Sequence, residues 1–160
     1  MYKKYKRKTV LLYIFGTLAI GICLALIIFF IWIMALRTEY KKTCLEINDR
    51  ILSASEGMSF VMRNGEKYPL SSEAMNYFDQ VLLDKKTVVY NRKPYEITDK
   101  SIVMEFSDCT LSFSGLEDGT AISIRWETPE KTRNYTIRSV NYTFINLNSY
   151  LTSYIRRIKP

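Results

Sequence analysis

Hydrophobic residues form two kinds of pattern along the chain: one continuous run, and then a series of shorter periodic segments. The run from Thr9 to Leu36 contains no charged residue. At 1.5 Å per residue, a helix over this run would exceed the ~30 Å hydrocarbon core of a bilayer. It therefore predicts a transmembrane helix over residues 9–36 that crosses with some tilt or extends into the interfaces.

The run does not resemble a cleavable signal peptide. Such a peptide has an apolar region of about 7–15 residues followed by a small-x-small cleavage site. Here the run is longer and ends in Met34-Ala35-Leu36-Arg37, which is a poor site. We interpret it as the uncleaved signal-anchor of a single-pass membrane protein.

Helical periodicity recurs just after the run. Over residues 38–56, Tyr40, Cys44, Ile47 and Ile51 recur at spacings of three and four, which is typical of an amphipathic helix. We expect this apolar stripe to pack on its own domain; pairing with another chain is the alternative.

Two more helices are predicted further along. The first follows a cap at Ser71 or Ser72, and its apolar face comprises Ala74, Met75, Phe78, Val81 and Leu82. The last covers about 144–158, with Leu147, Leu151, Tyr154, Ile155 and Ile158 on one face.

Between these helices the apolar positions alternate, as they do in strands with one buried face. Asn64-Gly65 predicts a hairpin turn between residues 58–63 and 66–70. Further strands are predicted at 87–91, 101–106, 109–114, 120–126 and 134–139. Short connections favour antiparallel neighbours. The fold class is therefore α+β: an N-terminal transmembrane helix followed by a small domain with an antiparallel β-meander of four to six strands, covered by two or three helices.

This pattern divides the chain into four parts. Residues 1–8 form a basic tail and residues 9–36 the transmembrane helix. Residues 37–57 form a juxtamembrane helix, and residues 58–160 the α+β domain.

Charge supports this division and adds an orientation. Of the 23 basic residues, five lie in the first eight positions: Lys3, Lys4, Lys6, Arg7 and Lys8. Three follow the run closely, namely Arg37, Lys41 and Lys42. Basic residues flanking a membrane helix favour the cytoplasmic side. We expect a cell-membrane protein with a cytoplasmic N-terminus and an extracytoplasmic C-terminal domain.

The net charge of +7 does not indicate a nucleic-acid-binding protein, because beyond residue 36 the basic and acidic residues nearly balance. A smaller basic face, formed by Arg125, Lys131, Arg133 and Arg138, could bind an acidic partner. The alternative is an ordinary charged surface, because Glu127 and Glu130 lie nearby in the sequence.

Catalysis finds little support in the sequence. Without histidine the chain lacks the usual partner of a catalytic Ser or Cys and the commonest metal ligand. No metal or cofactor is expected. Carboxylate pairs such as Glu96 with Asp99, or Glu105 with Asp108, leave an envelope hydrolase as an alternative.

The cysteines suggest a covalent link. Cys44 and Cys109 both lie in the outer domain, where a disulfide between them could persist, whereas Cys23 lies within the apolar run. Two buried free thiols are the alternative. Asn134 and Asn141 each begin an Asn-x-Thr glycosylation pattern, which has no meaning in a bacterial host.

Small residues recur every fourth position within the apolar run, at Thr17, Gly21 and Ala25. Such a stripe lets a second helix approach closely, so a homodimer through the transmembrane helix is a further hypothesis.

Together these patterns predict a membrane-anchored, extracytoplasmic and non-catalytic module, which acts as an interaction or accessory component of an envelope complex such as a secretion or conjugation assembly. The partners expected are the bilayer and another envelope protein. A sensor subunit that relays an external ligand to a membrane partner is the first alternative, and the carboxylate hydrolase is the second.

Overall fold

The computed structural model describes residues 2–53, 59–63, 65–93, 100–116 and 120–159. It divides into two compact units, residues 1–36 and 37–160.

The first unit is helical throughout its described part. Helix α1 (Tyr2–Ser53) begins there, and nearly all of the described side chains from residue 12 to 35 are exposed. By length and composition the helix is long and apolar enough to cross a membrane, with an 18-residue window of mean hydropathy 2.9.

In the second unit, the C-terminal part of α1 is a core element. Tyr40, Cys44, Ile47 and Ile51 are all at most 5% exposed. The predicted stripe therefore packs on its own domain. Leu52, off this stripe, is 70% exposed. The predicted stop at Gly57 lies outside the described residues.

Among the described residues, seven strands form one antiparallel sheet in the order β2-β1-β4-β5-β6-β7-β3. Two helices accompany them. The elements after α1 are β1 (Phe60–Arg63), β2 (Glu66–Pro69), α2 (Ser72–Leu83), β3 (Val88–Asn91), β4 (Ile102–Glu105), β5 (Thr110–Gly115), β6 (Ala121–Glu127), β7 (Thr132–Arg138) and α3 (Phe144–Ile158).

The prediction of an α+β fold is confirmed, but the strand count of four to six was too low. Only β4 to β7 form the meander. The β1–β2 hairpin is added at one edge, beside β4, and β3 pairs with β7 at the other. β3 pairs with a strand more than 40 positions later. This pairing depends on long-range packing, which the local alternation of apolar and polar residues does not predict.

Local chemistry explains the ends of several elements. The Ser71 side chain accepts a hydrogen bond from the Ala74 N–H at the start of α2, and Thr143 caps α3 in the same way through Asn146. Gly65 has a φ of 78°, a conformation that glycine adopts without steric cost, at the tight turn between β1 and β2.

The three helices cover one face of the sheet. Tyr40 of α1 meets Tyr135 edge to face, with ring centroids 5.2 Å apart. The ring centroids of Phe78 in α2 and Phe113 are 5.6 Å apart, and those of Tyr150 in α3 and Phe78 are 6.1 Å apart. These aromatic contacts close the hydrophobic core between sheet and helices.

Across β5, β6 and β7 the opposite face of the sheet is polar. In register across β5, β6 and β7, it carries one row with Ser112, Arg125 and Asn134 and another with Ser114, Ser123 and Thr136. This alternation accounts for the half-apolar strands of the sequence.

Candidate functional site

The predicted basic face is divided between the two faces of the sheet. Arg133 pairs with Trp126 in the strand register and so lies on the helix-covered face, whereas Arg125 lies on the polar face. Arg125 forms an ion pair with Glu127, and Arg138 lies over the Tyr90 ring at 5.6 Å. The four cations do not form one surface, because alternate residues of a strand point to opposite sides.

Two of these cations instead join the sheet to α1. Arg133 Nη1 lies 2.9 Å from Glu46 Oε2 and donates to Thr43 Oγ1 at 2.7 Å. Lys131 Nζ lies 3.7 Å from the same carboxylate oxygen. Burial raises the pKa of Glu46, but the Trp126 hydrogen bond and the two cations outweigh it, so this pKa is lowered. Glu46 therefore accepts contacts from both strands and the connecting turn at one end of the β6–β7 hairpin.

The cysteines predicted to form a disulfide are free thiols in the structure. Burial raises the pKa of Cys44 to about 12, against a weaker effect of a Tyr40 hydrogen bond. Cys109 donates to Asp108, and burial followed by that contact raises its pKa to about 11. Thiols with such pKa values remain protonated at neutral pH and are poor nucleophiles.

The carboxylates considered for a hydrolase are placed beside cations. Lys67 Nζ lies 2.5 Å from Glu105 Oε2, and Arg50 lies 3.1 Å from Asp108. The hydrogen bond from Cys109 is the largest cause of the lowered pKa of Asp108, and Arg50 adds to it. Glu96 and Asp99 lie outside the described residues. Within the described ranges, no group of three or more Cys, Asp or Glu could hold a metal ion.

The predicted sites of the first unit stay predictions. Thr17, Gly21 and Ala25 are exposed on α1, and the Thr17 hydroxyl donates to the carbonyls of Tyr13 and Ile14 within the same helix. Lys3, Lys4, Lys6, Arg7 and Lys8 lie in the helical segment, with side chains outside the described set.

The glycosylation patterns fall in different surroundings. Asn134 lies within β7, and its buried side-chain oxygen has no hydrogen bond from another described residue. Asn141 is exposed, and its amide donates to Asp84 at 3.2 Å.

Sequence patterns did not indicate a cleft of about 430 Å³ in the second unit. It lies between residues 37–45 of α1 and the end of α2 with the turn that follows. Its lining residues are Arg37, Tyr40, Lys41, Cys44, Leu45, Leu82, Leu83, Asp84, Lys85 and Thr87.

The cleft has an apolar interior and a basic rim. Tyr40, Cys44 and Leu82 are buried, and the Tyr40 hydroxyl donates to the Leu82 carbonyl at 3.1 Å. Leu45 and Leu83 are exposed, 56% and 42% respectively. Arg37, Lys41 and Lys85 are exposed cations of the lining, and none has an ion pair with another described residue.

Asp84 is the one acidic residue among the lining residues, and its carboxylate already accepts hydrogen bonds from other parts of the protein. It accepts hydrogen bonds from the Ser139 hydroxyl, the Lys86 N–H and the Asn141 amide. Burial raises the pKa of Asp84, but these three hydrogen bonds outweigh it and the pKa is lowered. The rim therefore retains an excess of positive charge.

Edge strand β3 is a second exposed feature. Val88 is 55% and Tyr90 45% exposed, and no other described strand pairs with the outer side of β3. The opposite edge, β2, carries Glu66, Lys67 and Pro69, residue types that oppose further strand pairing. Only the β3 edge is free of charge and proline.

No known protein family, curated protein or solved structure matches this chain. The function must therefore be inferred from the residues and their geometry.

Proposed function

We propose that the chain is a single-pass membrane protein that presents a non-catalytic α+β module outside the cell, as an interaction or accessory component of an envelope complex. The cytoplasmic N-terminus, the extracytoplasmic domain and the protein partner all belong to this proposal.

The uncharged run supports the anchor, and the clustered basic residues before it support the orientation. The helix that contains the run also supplies Tyr40, Cys44, Ile47 and Ile51 to the core of the second unit. Cleavage near Thr38 would therefore leave a core segment at a new chain terminus.

The β3 edge is the observation that carries the binding role. An extended segment of a partner could add to it as an eighth strand, with main-chain hydrogen bonds giving affinity and side chains giving specificity. Val88 and Tyr90 would supply the apolar contacts, together with Val140, which is 79% exposed and follows Arg138, the register partner of Val88, by two residues. A protein segment rather than a polyanion fits this edge, because β3 itself carries no charge.

Topology is tested first, by protease treatment of intact cells after removal of any wall. The expected result is digestion of the C-terminal domain together with protection of the N-terminal tail. A protected domain, or a mature N-terminus near Thr38, would contradict the anchor or its orientation.

Partner binding is tested with a photo-crosslinking amino acid placed at Val88 or, as the matched control, at Lys67 of the opposite edge. Both positions are exposed on edge strands. We expect Val88 to give a crosslink to one stoichiometric envelope protein, Lys67 to give none, and Tyr90→Lys to abolish the product. Equal products from both edges would contradict the role of β3.

A further inference from the structure

The cleft combines two features: cations on the rim that form no ion pair with another described residue, and apolar side chains within. Its cations come from different segments, Arg37 and Lys41 from α1 and Lys85 from the turn after α2. Only the folded domain brings them to one opening.

Thr87 points independently to a ligand. Its side chain is 7% exposed and lines the cleft, and its hydroxyl oxygen has no hydrogen-bond partner among the described residues. A buried hydroxyl without a partner is destabilising, because the hydrogen bond that it makes to water in the unfolded chain is not replaced. That oxygen exposes less than 1 Å², so a ligand oxygen would accept its hydrogen bond after a change of the Thr87 rotamer, and the bond gained would favour a polar over a purely apolar occupant.

The chemistry of the lining defines the ligand class. Lys and Arg bind phosphate by charge and hydrogen bonds, and the Thr87 hydroxyl can donate to a phosphate or ester oxygen. Leu45, Leu82 and Leu83 would contact hydrocarbon. The ligand is thus an anionic amphiphile, with a phosphate at the rim and methylene groups inside.

Position along the chain identifies the source of this amphiphile. Arg37 follows directly on Leu36, the last residue of the uncharged run, and Lys41 is one helical turn further. If the run spans a bilayer, both cations lie at the level of the lipid headgroups. The volume of about 430 Å³ suits a headgroup and the first methylenes rather than a complete diacyl lipid.

We propose that this cleft binds the phosphate headgroup of an anionic phospholipid from the surrounding leaflet. The proposal rests on the membrane anchoring argued under Proposed function. Headgroup binding at this position would bias the protein towards regions rich in anionic lipid and would occupy one side of the module.

The test uses the full-length chain in nanodiscs of phosphatidylcholine with a fraction of phosphatidylglycerol, and native mass spectrometry measures which lipid stays bound. The variant is Lys41→Gln with Lys85→Gln. Its matched control is Lys42→Gln with Lys86→Gln, which removes the same charge from exposed neighbours that do not line the cleft. General attraction to anionic lipid is worth about fivefold per lysine near the membrane and is lost equally in both double variants. Direct hydrogen bonds to a phosphate are worth about tenfold or more each, so we expect the cleft variant to lose at least about tenfold more phosphatidylglycerol preference than the control.

Equal losses in the two double variants would mean general surface attraction and would overturn the proposal. If the wild type binds inorganic phosphate alone as tightly as it binds phosphatidylglycerol, the proposal is also overturned, because the hydrocarbon contacts would then contribute nothing to affinity. If the chain fails to enter nanodiscs, the anchor itself is wrong. Entry without selective lipid retention refutes only the headgroup site.

Thr87→Val provides a readout that a structural role would not give. Because the hydroxyl has no hydrogen-bond partner among the described residues, valine should leave the melting temperature unchanged or raise it. At the same time we expect it to weaken retention of phosphatidylglycerol several-fold. Unchanged retention would contradict the assignment of Thr87 to the site.

Discussion

The Trp126 indole Nε1 donates a hydrogen bond to Glu46 Oε1 at 3.2 Å, joining β6 to the C-terminal part of α1. Trp126 is fully buried, and Glu46 also pairs with Arg133, whose side chain is 22% exposed. One carboxylate thus satisfies an indole N–H and a largely buried guanidinium.

Removing this charge should destabilise the domain. We expect Glu46→Gln to lower the free energy of unfolding by about 1–3 kcal/mol, because Arg133 loses its ion pair in a partly desolvated site. Thermal unfolding in detergent, followed by Trp126 fluorescence in a Trp32→Phe background, measures the change. Glu130→Gln, in an exposed loop, is the control and should have no effect.

The same variant should change the pH dependence of stability. The pKa of Glu46 is lowered in the folded state, so its contribution is present above its ordinary value of 4.5 and is lost as the pH falls through the folded pKa. The wild type should therefore lose more stability than Glu46→Gln between neutral pH and acid. If the stability of the two proteins falls equally with pH, Glu46 makes no pH-dependent contribution to stability.

The C-terminal part of α1 should be indispensable to the fold of the second unit. Ile47 is 0% exposed, so Ile47→Ala should cost about 2–5 kcal/mol through lost burial and a cavity. Leu52→Ala on the same helix, where the side chain is 70% exposed, should cost less than about 0.5 kcal/mol. Similar losses in the two variants, measured by chemical denaturation, would contradict this packing.

Gly115 is required by the close approach of α3. A Cβ at this position would lie 2.8 Å from Cγ of Phe144 and would overlap its ring. Gly115→Ala should therefore cost about 1–3 kcal/mol through overpacking. In a Phe144→Leu background the same change should cost less, and a double-mutant cycle measures the difference. Strict additivity would exclude the clash as the cause.

The two buried thiols should be unreactive in the native protein. Cys44 and Cys109 are 1% and 3% exposed, and burial raises both pKa values, so maleimide should label them only after unfolding. Since both are free thiols in the structure, we also expect no mobility shift on reduction. A shift that disappears in Cys44→Ser would instead support the disulfide considered from the sequence.

Local patterns were sufficient for much of the fold. The stripe Tyr40, Cys44, Ile47 and Ile51, the buried face of α2 and the bounds of α3 all follow from helical periodicity and capping residues. These features depend on residues three or four positions apart, so they can be predicted from the local sequence. The Asn64-Gly65 turn belongs to the same class, because the φ of 78° at Gly65 is a local requirement.

Sheet order and the sites depended on contacts between distant segments. β3 pairs with β7, and the cleft lies between Lys41 and Lys85; both features join residues more than 40 positions apart. The division of Arg125 and Arg133 between two faces depends on strand register. The sequence by itself determined the apolar run, the helices and the alternation of the strands, since each is a property of one short segment. Only the tertiary structure decided which cations are neutralised and which remain free, because an ion pair is set by distance in space rather than by position along the chain.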